Sequence, residues 1–129
     1  MRTPTGYRKR LKRYDEPGQA HYLTFSCFQN HPFLKSLRAC QWLVEAVKAA
    51  RVATRFDLWA WVFMPDHVHL LLRPSGEASL SEILSAIKVP VSKRAAGWVR
   101  REAPQFMLRM LDVQPSGKRF LRLWQRGGG

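Results

Sequence analysis

The stretch DLWAWVFMPDHVHLLLR, residues Asp57 to Arg73, decides the fold. Asp57 to Met64 is rich in aromatic and β-branched residues, His67 to Arg73 is a second apolar run, and Pro65-Asp66 lies between them. That pattern reads as two antiparallel strands joined by a tight turn. Side chains alternate across a strand, so Val68, Leu70 and Leu72 share the face that enters a core, and His67 and His69 share the opposite face.

Upstream, His21 to Phe28 alternates Leu23, Phe25 and Cys27 against Tyr22, Thr24 and Ser26, the period of a half-buried strand. A loop over 30–36 leads to Leu37–Val52, where Cys40, Leu43, Val44, Val47 and Ala50 recur at helical spacing behind Ser36 as N-cap. Downstream, Ser79-Leu80-Ser81-Glu82 fits a capping box, and Leu80, Ile83, Leu84 and Ile87 mark a second helix. Pro90 predicts a break near Ile87 to Val89, after which Val91, Ala95, Trp98 and Val99 resume the pattern. Residues 103–118 read as a loop, and Arg119 to Arg126 as a final strand. The order β-α-β-β-α-β predicts an α+β, ferredoxin-like antiparallel sheet with two helices on one face. The other sheet face is left without a cover. Trp42, Trp59 and Trp61 are read as core or sheet packing, and Trp98 and Trp124 as core packing with base stacking as the alternative.

The 129 residues leave room for one domain. Residues 1–20 read as a basic arm and loop, and 21–129 as the domain. Of 22 Lys and Arg, six fall within residues 1–13 and ten within 88–129, where only two acids stand against them. A formal charge of +13 segregated in this way points to a polyanion, nucleic acid above all. Arg8, Lys9, Arg10, Lys12 and Arg13 in the arm, and Lys88, Lys93, Arg94, Arg122 and Arg126 beside the sheet, are the candidate DNA-binding residues. Cys27 and Cys40 lack CxxC spacing and read as buried thiols in a reducing compartment. With no membrane-length apolar run and no signal peptide, the chain reads as cytoplasmic.

His67-x-His69 is the one constellation with chemistry attached: two imidazoles side by side on a strand form half of a metal site. HExxH is absent, Leu71 stands where a three-histidine strand needs its third ligand, and no glycine-rich loop precedes a helix. His21 and His31 read as structural or surface residues.

The run Phe63-Met64-Pro65-Asp66-His67-Val68-His69-Leu70-Leu71-Leu72 resembles the signature strand of the HUH single-tyrosine transposases, especially the branch associated with repetitive extragenic palindromes. Tyr14-Asp15-Glu16-Pro17-Gly18 before His21 to Cys27, Ala86-Ile87-Lys88 before Ser92-Lys93-Arg94, and Phe120 to Gly129 extend the resemblance over nearly the whole chain. It implies a metal-dependent enzyme that nicks and rejoins single-stranded DNA near hairpins through a 5′-phosphotyrosine link. His67 and His69 would then hold Mg²⁺ or Mn²⁺. The resemblance also places the nucleophile tyrosine on a helix after the Trp-Gln strand. Tyr7, Tyr14 and Tyr22 match no such position, so the expectation is a chain that lacks this helix and is inactive alone. Its uncovered sheet face would favour a homo-oligomer or a partner chain. The alternative is a non-catalytic basic nucleic-acid-binding module on the same fold, which divalent ions would leave indifferent.

Overall fold

In the computed structural model, which describes residues 18–126, three strands form one antiparallel sheet: β1 (His21–Ser26), β2 (Phe56–Phe63) and β3 (His67–Pro74), in the order β1-β3-β2. The helices α1 (Leu37–Thr54) and α2 (Leu80–Glu102) pack on each other and on one sheet face. Leu23 and Phe25 of β1 and Val68, Leu70 and Leu72 of β3 meet Leu43, Ile83, Ile87 and Val91 of the helices in a core that excludes water. The α+β, ferredoxin-like arrangement therefore holds, with the expected hairpin and both helix starts. Ser36 caps α1 by accepting from the Ala39 amide at 3.2 Å. Ser79 and Glu82 bond each other's backbone amides at 3.1 and 2.8 Å, the reciprocal pair that a capping box supplies.

Four details depart from the sequence pattern. Pro90 does not break α2, which runs unbroken for 23 residues. Ile87 and Val91 flank it in full burial while Pro90 itself is exposed. Each such burial is worth about 1.5–3 kcal/mol, which offsets the roughly 3 kcal/mol that an interior proline costs.

The segment 103–118 is not a plain loop. It carries the short helix α3 (Met107–Met110) and the strand β4 (Leu111–Val113), which pairs with β5 (Arg119–Leu121) across a turn where Gly117 takes a φ of 92°. These elements are three or four residues long, too short for a period to reveal them. The final strand is correspondingly divided. Arg119–Leu121 joins β4, and only the residues beyond return to the main sheet, where Cys27 bridges Trp124, Phe28 N–H donates to the Leu123 carbonyl and Gln125 N–H to the Ser26 carbonyl, both at 2.8 Å. Residues 123–125 thus lie beside β1, where a fourth ferredoxin-like strand belongs.

The third and fourth departures concern packing. Trp59 and Trp61 are about half exposed rather than packed away. A register shift between Leu58 and Ala60 leaves Trp59 unpaired at the free edge of the sheet. Cys40 is only half-buried, whereas Cys27 is fully buried as expected. No described helix is long and apolar enough to cross a membrane.

Burial pushes the Cys27 thiol from an ordinary 9.0 up to about 11. Between those values the unfolded chain has lost the thiol proton and the folded chain keeps it, so stability falls as pH rises. The full difference corresponds to about 2–3 kcal/mol. Urea midpoints measured from pH 8 to 11 should decline more steeply for the natural chain than for Cys27→Ala. Parallel declines would contradict the assignment.

Candidate metal centre and nucleic-acid interface

Alternation along β3 puts His67 and His69 on the sheet face away from the helices, as the sequence predicts. Register then decides their neighbours: Ser26 lies opposite His67, Thr24 opposite His69, and Tyr22 two pairs further along, opposite Leu71 and on the same face. The two imidazoles converge, with Nε2 of His67 2.9 Å from Nε2 of His69. Their outer nitrogens are both held. Nδ1 of His67 sits 2.7 Å from Oδ1 of Asp66, and Nδ1 of His69 bonds the Tyr22 hydroxyl and lies 3.3 Å from Thr24 Oγ1. The Tyr22 ring also stacks parallel to His69, with centroids 5.6 Å apart. The hydrogen bond from His67 holds the Asp66 carboxyl below its usual range.

Two tautomeric arrangements fit these contacts: an Nε2–H of one imidazole donates to the other, or both Nε2 atoms are free to accept a ligand. When each Nδ1–H donates outward, to Asp66 and to Tyr22 or Thr24, both Nε2 lone pairs point at the same small space. Two lone pairs 2.9 Å apart repel unless a cation or a proton stands between them. A separation near 3 Å is also what two neighbouring ligands of an octahedral ion show when each bond is about 2.1 Å. Histidine ligands are ordinarily fixed by an acceptor at the other ring nitrogen, which is what Asp66 and Tyr22 provide. The donor set therefore fits a divalent ion with two protein nitrogens and several open positions. Among the described residues no group of three or more His, Cys, Asp or Glu completes such a site.

No local sequence pattern marks Asp66, Tyr22 and Thr24 as site residues. The only signal for Asp66 is its place beside the first histidine. Tyr22 and Thr24 lie 47 and 45 residues from His69 and become its neighbours only through strand register. Around the site the open face is uncovered among the described residues: Tyr22 is 64% exposed, and Trp59 and Val62 are about half exposed.

Among the described residues, the candidate DNA-binding side chains fall into two separate grooves. Arg8, Lys9, Arg10, Lys12 and Arg13, with Tyr7 and Tyr14, lie outside the described residues. Lys88, Arg122 and Arg126 line a groove of about 450 Å³ between α2 and the 121–126 segment, together with the Ser81, Ser85 and Ser92 hydroxyls. Arg122 is held there by Asp112 at 2.5 Å. Lys93 and Arg94 instead face a second cleft on the helical layer, beside Trp42 and Trp98, and Arg94 pairs with Glu45 at 2.5 Å. Trp124 belongs to the core, packed edge to face on Phe25 with ring centroids 5.0 Å apart and its indole N–H donated to the Lys88 carbonyl at 3.0 Å.

A family model described as "Transposase IS200 like" matches residues 23–111. No curated protein sequence matches the chain. Among solved structures, a REP-associated tyrosine transposase bound to a REP hairpin is similar, with a TM-score of 0.57 and 23% identity over 66% of this chain; this chain spans 52% of that one. A protein from Deinococcus radiodurans R1 described as a candidate transposase is similar with a TM-score of 0.58 and 20% identity, over 98% of this chain and 82% of that one. At these identities the two structures establish a shared fold.

Proposed function

The chain belongs to the IS200-like transposase family, and from that premise we propose that it binds single-stranded hairpin DNA and seats a phosphate of that strand at the His67–His69 pair. The observation that carries this reading is the convergence of the two Nε2 atoms 2.9 Å apart, each ring braced from behind. The hairpin DNA on the structurally similar REP-associated protein supports the choice of ligand.

Each residue has a part in this scheme. His67 and His69 would hold Mg²⁺ or Mn²⁺. Such an ion, when bound, polarises a phosphoryl group and neutralises its charge. Asp66 keeps the His67 ring turned with Nε2 inward, and Tyr22 and Thr24 do the same for His69. Lys88, Arg122 and Arg126 neutralise neighbouring phosphates along their groove. The basic residues of the arm add sequence-independent attraction. Tyr22 is placed to orient rather than to attack, because its hydroxyl meets His69 on Nδ1, the ring nitrogen remote from the convergent pair. We therefore expect the chain alone to bind DNA without forming a covalent link, while nicking and rejoining belong to the family reaction.

The test mixes the purified chain with labelled hairpin DNA carrying a single-stranded flank, with and without Mn²⁺, on native and denaturing gels. The expected result is a native shift that Mn²⁺ tightens, with no covalent band. Three phosphates neutralised on a single strand predict ~20-fold weaker binding between 50 and 200 mM salt. A covalent band would overturn the expectation that the chain alone forms no link to DNA, with one of its three tyrosines or another residue as the nucleophile. Binding indifferent to Mn²⁺ would leave a non-catalytic nucleic-acid module, and no shift at low salt would remove the DNA reading itself.

A further inference from the structure

A cleft on the helical layer remains outside this scheme. It opens between the start of α1, the end of α2 and the loop around α3, and has a volume of about 450 Å³. Its walls are aromatic and cationic: Phe33, Trp42, Trp98 and Phe106 with Arg38 and Arg109. Among the described residues no acidic side chain lines it. The guanidinium groups lie over the rings, Arg38 at 4.7 Å from the Trp98 centroid and Arg109 at 4.9 Å from that of Phe106. Trp42 and Trp98 meet edge to face at 6.5 Å.

We infer that this cleft is a second nucleic-acid site, which takes one unpaired nucleotide of the same DNA strand by stacking its base and neutralising its phosphate. Flat rings beside fixed guanidinium groups supply both halves of single-strand recognition, a stacking platform and a backbone counter-charge. The volume lies within the range of sites that hold a small ligand. Continuing outward, the neighbouring cleft shares Arg38, Trp42 and Trp98 and adds Lys93, Arg94 and Arg101, against the single acid Glu45. Charge complementarity therefore selects a polyanion over an apolar peptide or a second copy of this basic chain.

Position supports the same occupant. β1 ends, α1 begins and α2 ends at the edge of the fold where the β2–β3 turn carries Asp66 and His67. The link is direct, because Leu34 N–H donates to the Pro65 carbonyl at 2.9 Å, with Phe33 of the cleft on one side of that bond and Asp66 of the metal centre on the other. A strand seated at His67 and His69 can turn around this loop and place a flanking base among the aromatic rings. The inference deepens the DNA-binding reading and rests on it.

The test uses the full chain and two thymidine oligonucleotides of equal length, one intact and one with its bases replaced by abasic sites. Phe106 and Arg109 are exposed, so Phe106→Ala/Arg109→Ala leaves the core in place. The double variant is expected to bind the intact oligonucleotide about tenfold more weakly than the natural chain does. It should also show a smaller penalty for the abasic one. An iodouracil oligonucleotide should photo-crosslink to peptides within 31–42 or 95–110. Undiminished affinity in the variant, or equal abasic penalties in both proteins, overturns the inference. The DNA reading survives that outcome if Lys88→Ala/Arg122→Ala/Arg126→Ala still weakens binding; no binding by any form overturns both. Loss of self-association in the double variant without a change in DNA affinity assigns the cleft to a second copy, and the inference again fails.

Discussion

Replacing His67 with alanine is expected to abolish the effect of divalent ions on DNA binding and to weaken Mn²⁺ binding by at least ~100-fold. The scale follows from what supporting residues cost: loss of an outer partner to a ligand typically costs about 10–100-fold, and His67 is one of the two side-chain nitrogens that converge here among the described residues. The change should leave the fold alone, since His67 stands on the open sheet face with 29% of its side chain exposed and belongs to no part of the core. Asp66→Asn should fall between the two, because the amide oxygen still accepts from Nδ1–H but without charge. Calorimetric titration with Mn²⁺ and gel shifts in its presence measure both variants. A His67→Ala protein that binds DNA more tightly when Mn²⁺ is added would remove the histidine pair from the metal reading, since His69 alone supplies a single nitrogen.

The second large effect concerns stability. Trp124→Ala is expected to cost about 3–5 kcal/mol, the range for truncating a buried large aromatic side chain. Trp124 is 6% exposed, meets Phe25 edge to face, and donates its indole N–H to the Lys88 carbonyl. It also forms the bridge to Cys27 that seats residues 123–125 beside β1. Against a total of about 5–15 kcal/mol for an ordinary domain, that loss is a large share. Trp124→Phe keeps most of the packing and forfeits the hydrogen bond, so it should cost about 1–3 kcal/mol. Urea unfolding followed by circular dichroism separates the two variants. A cost under 1 kcal/mol for alanine would mean that the C-terminal segment contributes little to the core, and that the three-stranded sheet with its helices stands alone.

These two residues illustrate how unevenly the sequence can be read. The role of His67 as half of a pair was legible because it depends on a neighbour two positions away, and alternation along a strand fixes that relation wherever the strand lies. The packing role of Trp124 was legible too, but its strand was not. Eight residues from Arg119 to Arg126 look like one strand, and a turn through Gly117 instead commits the first three to β4 and leaves the rest to return to β1. Pro90 misled in the opposite sense. Its local penalty is real, and the full burial of Ile87 and Val91 on either side of it outweighs that penalty.

The sequence by itself determined the element order from β1 through α2, most of the core-facing stripes, both helix caps, the hairpin and the two imidazoles on one face. All of these arise from residues within a few positions of one another, where backbone periodicity dictates direction. Only the tertiary structure decided what surrounds the imidazoles. Register brought Tyr22 and Thr24 to His69, and helix packing sent Lys88 into one groove with Arg122 and Arg126 while Lys93 and Arg94 joined Trp42 and Trp98 in another. Such groupings depend on which buried faces find each other, and burial is a property of the whole chain: it assembles side chains tens of residues apart with no local pattern to announce them.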